Sequence, residues 1–178
     1  MIFKEIDPLE LSSLNAFRAI GKEWFLICAE ADGVKNAMTA SWGFLGNLWN
    51  KNAAVCFVRP QRFTHTLTEK ADRVSLCFFG DNYRAELGKI FGRKSGRDVD
   101  KAAEAGFHYT ELCGVPAFEE ASLVLICRKM YTDKIDPSGF TDTSLDSKNY
   151  PLKDYHTVYI CEVEKAYIGS VKEKALVL

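Results

Sequence analysis

With 178 residues, 47% of them hydrophobic and 26% charged, and a formal net charge of −1, the chain has the balance of an ordinary globular domain. That balance excludes a wholesale nucleic-acid binder, which would carry a large basic excess, and no apolar run approaches the roughly 18 residues of a transmembrane helix. A chain of roughly 150 residues can bury about 70% of its unfolded surface in one core, so residues 1–178 are expected to form a single domain.

The start, MIFKEIDPLEL, carries acidic residues and lacks the basic and apolar regions of a secretory signal, so a cytoplasmic location is expected. Residues 9–22 are short of strand signals and suit a helical turn before Gly21. Trp24 to Ala29 is an apolar run, and Asp32-Gly33 after it is a hairpin signal, with Val34 to Trp42 as the return strand. On that strand Ala37, Thr39 and Ser41 share one face and Met38, Ala40 and Trp42 the other. Side chains this small leave room for something to approach the backbone.

A loop rich in Gly, Trp and Asn follows, then a strand from Ala53 to Val58 that reads as buried on both sides or central in a barrel. Pro60 ends it, and residues 63–72 read as a short helix capped by Thr64 or Thr66, Glu69 offering a capping box with Thr66. Arg73 to Phe79 returns to the sheet. Asp81-Asn82 then offers an N-cap for a helix from Tyr83 to Phe91, with Leu87, Ile90 and Phe91 on its apolar face. Residues 92–106 are polar, with a helix from about Asp98 ended by Gly106. Three β-like stretches remain: Phe107 to Cys113, Ala121 to Lys134 and His156 to Ile168, the last two being the longest. Between them, Asp136 to Tyr155 is a polar connection of lid-like length.

Six or seven strands with a few short helices that do not alternate with them regularly point to a mainly β fold, a closed antiparallel barrel with peripheral α-helices. Six cysteines are scattered singly, five of them in apolar runs, which reads as reduced, buried thiols and as no metal site. Walker A, GxGxxG, GxSxG and HExxH motifs are lacking, and three histidines are dispersed along the chain.

Four features can carry chemistry. Met38-Thr39-Ala40-Ser41-Trp42 offers backbone groups and two hydroxyls to the edge of a polar heterocycle. Arg59-Pro60-Gln61-Arg62-Phe63-Thr64 places two cations and a hydroxyl at a strand-to-helix junction, where free N–H groups attract anions. Arg93-Lys94-Ser95-Gly96-Arg97-Asp98 with Lys101 is a basic turn at another helix start, and His156 opens the last strand just after the polar loop. Together they suit a mononucleotide-like ligand with a phosphate at one end and a planar ring at the other, without saying which.

The runs NAMTASWG, LWNK, VRPQRFT and SGRDVDKAAEAGF, in this order, resemble the flavin reductase-like family, including flavoredoxin. The resemblance implies a six-stranded antiparallel split β-barrel of the FMN-binding type and a homodimer with one FMN per subunit. It implies that Met38, Thr39, Ala40, Ser41 and Trp42 lie along the flavin ring. Arg59, Pro60, Arg62, Phe63 and Thr64 would lie at the phosphate end, completed by Ser95, Arg97 and Lys101. His156 would be the catalytic residue beside flavin and nicotinamide.

The activity implied is an NAD(P)H-dependent flavin oxidoreductase, with NADH or NADPH stacking directly on the flavin because the chain has no separate nicotinamide fingerprint. The alternative is an FMN-binding electron carrier serving redox protein partners without pyridine nucleotide. A third reading is a split barrel holding haem through His65, His108 or His156. Tyr159-Ile160 is followed by Cys161-Glu162-Val163, where dedicated reductases often have glycine, which bears on the nicotinamide rather than on the FMN. Neither a nucleic-acid nor a membrane partner is expected.

Overall fold

The computed structural model describes residues 3–169. Its strands are β1 (Phe3–Ile6), β2 (Phe25–Ala31), β3 (Val34–Ala40), β4 (Gly43–Leu48), β5 (Lys51–Val58), β6 (Arg73–Phe78), β7 (Tyr109–Leu112), β8 (Val115–Phe118), β9 (Leu123–Lys134) and β10 (Thr157–Gly169). The α-helical segments are short: α1 (Ala16–Arg18), α2 (Phe63–Lys70), α3 (Arg84–Glu86), α4 (Lys101–Ala105) and α5 (Thr143–Asn149).

The fold is mainly β, as expected, with more strands than the sequence reading counted. Eight strands make one antiparallel sheet in the order β3-β2-β6-β9-β10-β5-β4, with β1 also paired to β10, while β7 and β8 form a separate hairpin. At 13 residues β10 is long enough to take β9 on one side and, on the other, β5 along Thr157–Glu162 and β1 along Ala166–Gly169.

Three hairpins share one turn chemistry. Asp32 and Gly33, Trp49 and Asn50, and Cys113 and Gly114 all have positive φ at both central positions, the turn whose twist matches that of the flanking strands. Asp-Gly announces itself in the sequence. Trp49-Asn50 and Cys113-Gly114 do not, so β4 was read as part of a loop, and the strand expected at Phe107 to Cys113 covers β7 but leaves β8 out. Gly43 and Gly46 further obscure β4, yet Gly43 is needed there: a Cβ would lie 2.7 Å from the Val55 carbonyl oxygen.

Both faces of the sheet's middle are covered. Phe25, Ile27 and Ala29 of β2 face one core with Met38 and Ala40, and Leu26, Cys28 and Ala37 face a second core with Phe79, Phe91, Phe107 and Phe118. Each fully buried phenylalanine is worth roughly 1.5–3 kcal/mol of transfer free energy, and this aromatic group fixes residues 79–118 against the outer face. The strands buried on both faces are therefore β2, β6 and the Leu123–Cys127 part of β9. In β5, Val55 and Phe57 remain partly exposed, so that strand is not buried on both sides, although it lies inside the sheet between β10 and β4.

The helix caps also differ from expectation. Arg62 precedes α2 without a side-chain cap, since Thr66 donates to the Phe63 carbonyl at 2.8 Å and Glu69 accepts from the Tyr159 hydroxyl instead of closing a capping box. The Tyr83–Phe91 helix is a 3₁₀ turn at Gly80–Tyr83, then α3, then a π-turn at Leu87–Phe91, and Asp81 does not cap it. In contrast α4 begins with Asp100 accepting from Ala102 and Ala103 N–H at 3.1 Å and stops at Gly106, whose φ is 68°. The 136–155 connection contains a 3₁₀ turn and α5. No described helix is long and apolar enough to cross a membrane.

Candidate functional site

The end of β3 and the residues after it reach the surface between β5 and the segment 84–93. A cavity of about 190 Å³ here is lined by Met38, Thr39, Ala40, Ser41, Trp42, Phe57, Arg59, Arg62 and His156. Eight of these nine were expected at the site, and Phe57 is the addition. Pleating places Met38 and Ala40 in the inner core, so their backbone rather than their side chains faces a ligand. The Thr39 hydroxyl donates to the Leu87 carbonyl oxygen at 2.6 Å, which ties β3 to the π-turn and leaves Ser41 as the free hydroxyl of the pair.

A second cavity of about 380 Å³ adjoins the first through Thr39, Ser41 and Arg62. Its wall holds Arg62, Arg84, Lys89 and Arg93 and no carboxylate. Four cations with no opposing carboxylate in the wall give the cavity a positive potential, although the Arg84 guanidinium also donates to the Lys22 carbonyl. Arg62 is positioned by its own hydrogen bonds, to the Phe91 carbonyl at 2.6 Å and the Gly92 carbonyl at 3.0 Å, and burial lowers its pKa without discharging a guanidinium.

Trp24 forms the floor of this cavity. It has φ 70° and ψ 168°, a region normally reserved for glycine, and the Arg84 guanidinium lies 3.2 Å from the centre of its ring. Arg84 and Lys89 were missed in the sequence because segment 83–91 was read for its apolar face, whereas Arg93 belongs to the basic turn 93–98 that was expected to carry chemistry.

The other expected phosphate contacts surround the junction without lining either cavity. Asn36 Nδ2 donates to Thr64 Oγ1 at 2.9 Å, and Gly96 packs so closely on the Asn36 amide that a Cβ there would overlap it. These contacts lock β3, α2 and the 92–98 loop together. Ser95 Oγ accepts from the Arg97 N–H at 3.2 Å, and Arg97 covers the Phe63 ring at 5.0 Å. Pro60 is exposed at the turn.

Two expectations need correction. Lys101 is buried, and its amine donates to the Ala37 carbonyl behind β3 instead of lining a cavity; burial and the nearby Arg62 push its pKa down to about 8. Arg59 lines the smaller cavity, but its guanidinium is engaged by the Asp154 carboxylate and the Asn149 carbonyl, with the Tyr150 ring 5.2 Å away. Its work is to fasten the end of the 136–155 connection to β5.

His156 sits where β10 begins, buried against Trp42 at a ring separation of 5.0 Å, with Phe57 at 6.3 Å. Tyr150 Oη lies 2.8 Å from His156 Nδ1. Burial, aided by the charge of Arg59, lowers the pKa of His156 to about 4, so the ring is neutral at pH 7 and Nε2 is the nitrogen left for a ligand. The other histidines lie elsewhere, His65 bonded to Thr157 Oγ1 at 2.8 Å and exposed His108 to Glu120 at 2.8 Å. Among the described residues no group of three or more His, Cys, Asp or Glu side chains is arranged to hold a metal ion.

The antiparallel β domain thus brings a cationic groove onto the end of the edge strand β3, beside the aromatic corner of Trp42, Phe57 and His156. The chain belongs to the flavin reductase-like domain family, whose model matches residues 17–178.

Several solved structures share the fold. An FMN-binding domain of a flavin reductases-like enzyme from Shewanella baltica is 18% identical with a TM-score of 0.64, over 94% of this chain and 78% of its own. Flavoredoxin from Methanosarcina acetivorans is 19% identical with a TM-score of 0.62, over 83% and 69%. The styrene monooxygenase flavin reductase from Pseudomonas putida is 16% identical with a TM-score of 0.62, over 84% and 80%. A comparison with curated protein sequences finds no match.

Proposed function

We propose that this protein is a flavoprotein that binds FMN and transfers reducing equivalents from NADH or NADPH through it. The observation that carries the reading is the continuity of the cationic cavity with the Met38–Trp42 platform through the shared Thr39, Ser41 and Arg62. The donor set fits the cofactor: cations without a competing carboxylate for the phosphate, small residues and main-chain groups for the ring edge, and Trp42 and His156 as flat neighbours. The fold we read into the eight-stranded sheet is the split barrel, and the assembly we propose is a homodimer. A cytoplasmic location is part of the same reading, supported by six cysteines that are all unpaired.

When bound, FMN supplies a ring that takes hydride from a nicotinamide and passes electrons on. The chain's residues bind and orient. Arg62, with Arg84, Lys89 and Arg93 around it, anchors the phosphate and sets register, and Ser41 offers its hydroxyl to the ring edge. His156, held neutral and fixed by Tyr150, presents Nε2 as a single hydrogen-bonding atom whose protonation does not change near pH 7. Proximity does most of the remaining work, since a stacked nicotinamide needs distance and alignment more than acid or base.

The second reading is an FMN electron carrier serving protein partners, supported by the flavoredoxins among the similar folds and by the missing nicotinamide fingerprint. Anaerobic addition of NADH or NADPH to the FMN-loaded protein separates the two. Rapid bleaching of the flavin absorbance supports the reductase, and a flavin reduced by dithionite but by neither nucleotide supports the carrier.

A further inference from the structure

The Tyr150 hydroxyl lies 2.8 Å from His156 Nδ1, and both residues are buried, Tyr150 at 3% and His156 at 7% exposure. The two belong to different elements. Tyr150 closes α5, its N–H donating to the Asp146 carbonyl at 2.8 Å, and His156 precedes β10, its carbonyl accepting from the Ile135 N–H at 3.0 Å. Each ring is also held on its other sides. Tyr155 at 4.9 Å and Phe140 at 6.0 Å pack on Tyr150, the Arg59 guanidinium lies 5.2 Å from its centre, and Trp42 and Phe57 flank the imidazole at 5.0 and 6.3 Å.

The direction of this hydrogen bond decides what His156 can do. A neutral imidazole has one N–H and one acceptor nitrogen, so whichever role Nδ1 takes leaves the opposite role to Nε2. His156 Nδ1 is the sole hydrogen-bond partner of the Tyr150 hydroxyl among the described residues. Were the phenol to accept from Nδ1–H, its own proton would be left without an acceptor beside Phe140 and Leu145, at the full cost of a buried unpaired donor. As a donor to Nδ1 it satisfies both groups. The Arg59 charge beside the ring works in the same sense, because a nearby cation makes a phenol the stronger proton donor.

We propose that Tyr150 is a positioning residue that donates to His156 Nδ1 and so fixes the imidazole as the tautomer carrying its proton on Nε2. His156 then meets a ligand in the cavity lined by Met38–Trp42 as a hydrogen-bond donor, and it takes no proton from that ligand. Its complement is an acceptor oxygen. That this oxygen belongs to a flavin or to a nicotinamide amide rests on the flavin reading above; the tautomer does not.

The test is heteronuclear NMR of the full chain with isotope-labelled histidine, without and with FMN, the His156 signals being identified by their loss in His156→Gln. At pH 7 the expected result is a pyrrole-type nitrogen shift at Nε2 and a pyridine-type shift at Nδ1. Tyr150→Phe deletes the hydroxyl alone. The other charged and titratable groups facing the pair are Arg59 at the end of β5, Arg62 across the cavity, and Asp154 and Tyr155 on the 136–155 connection, and all of them are kept. Losing a donor that serves only the neutral ring should raise the pH midpoint of the His156 titration by about one unit.

A pyrrole-type Nδ1 in the wild type overturns the proposal. So does a midpoint in Tyr150→Phe that falls or stays, because an accepting phenol serves the imidazolium as well as the neutral ring. Bound FMN should move the Nε2 signal and leave it pyrrole-type; an unmoved signal, or a change to pyridine type, overturns the donor role. A sample that takes up no FMN removes the flavin reading and leaves the tautomer result standing.

Discussion

Replacing Arg62 with alanine should weaken FMN far more than riboflavin, which differs from it by the phosphate. Arg62 is the one cation shared by both cavities of the site, and its guanidinium is already oriented by the Phe91 and Gly92 carbonyls at 2.6 and 3.0 Å. A charge-assisted hydrogen bond is worth about 1.5–3 kcal/mol, which at about 1.4 kcal/mol per tenfold corresponds to roughly a 10- to 100-fold loss. The substitution also frees two carbonyls at the end of the π-turn, and that damage falls on both ligands alike. The ratio of the two losses therefore isolates the phosphate. Fluorescence titration of the protein with each ligand, at low and at high salt, measures it. FMN should lose about 10- to 100-fold more than riboflavin at low salt, with the gap narrowing as salt screens the exposed Arg84, Lys89 and Arg93. Equal losses at low salt would refute the phosphate assignment.

His156 has its pKa lowered to about 4 from 6.5, so its neutral form contributes stability that is complete above about pH 6.5 and is lost as pH falls toward 4. Comparing chemical denaturation of the wild type with His156→Gln, the difference between them should shrink across that window; a constant difference contradicts the burial argument. Trp24→Gly should be more stable than Trp24→Ala by about 1 kcal/mol, because both lose the ring but only glycine relaxes the backbone. The two variants having equal stability would show that the φ of 70° is not strained. Gly96→Ala should lower stability by roughly 1–3 kcal/mol through its clash with the Asn36 amide and the loss of the Asn36–Thr64 bond. A melting temperature within a degree of wild type would count against that lock. Asp154→Ala releases Arg59 from its carboxylate partner, so limited proteolysis should cut the 136–155 connection faster than in the wild type.

Local chemistry was legible in the sequence wherever one residue type decides the backbone. Asp32-Gly33 and Gly106 were read correctly because positive φ favours glycine or aspartate there. Trp49-Asn50 reaches the same turn with a residue that ordinarily avoids it, so β4 stayed hidden. The stretch Met38–Trp42 was read as a platform from its small residues, and all five residues of the stretch line one cavity.

What failed was the direction in which long cations point. Lys101 and Arg59 have the charge a phosphate needs, but tertiary packing turns one toward the Ala37 carbonyl and the other toward Asp154. Arg84 and Lys89, which line the cationic cavity beside Arg93, lie on a segment that was read for its apolar face. A lysine's charge is visible in a sequence, and the wall it faces is set by neighbours tens of residues away.

The most direct test of the account is the cofactor itself. Purified protein, supplied with FMN and freed of excess, should hold one FMN per chain, released on denaturation with the absorption spectrum of the free flavin. A protein that stays colourless and takes up no added FMN would contradict the central claim.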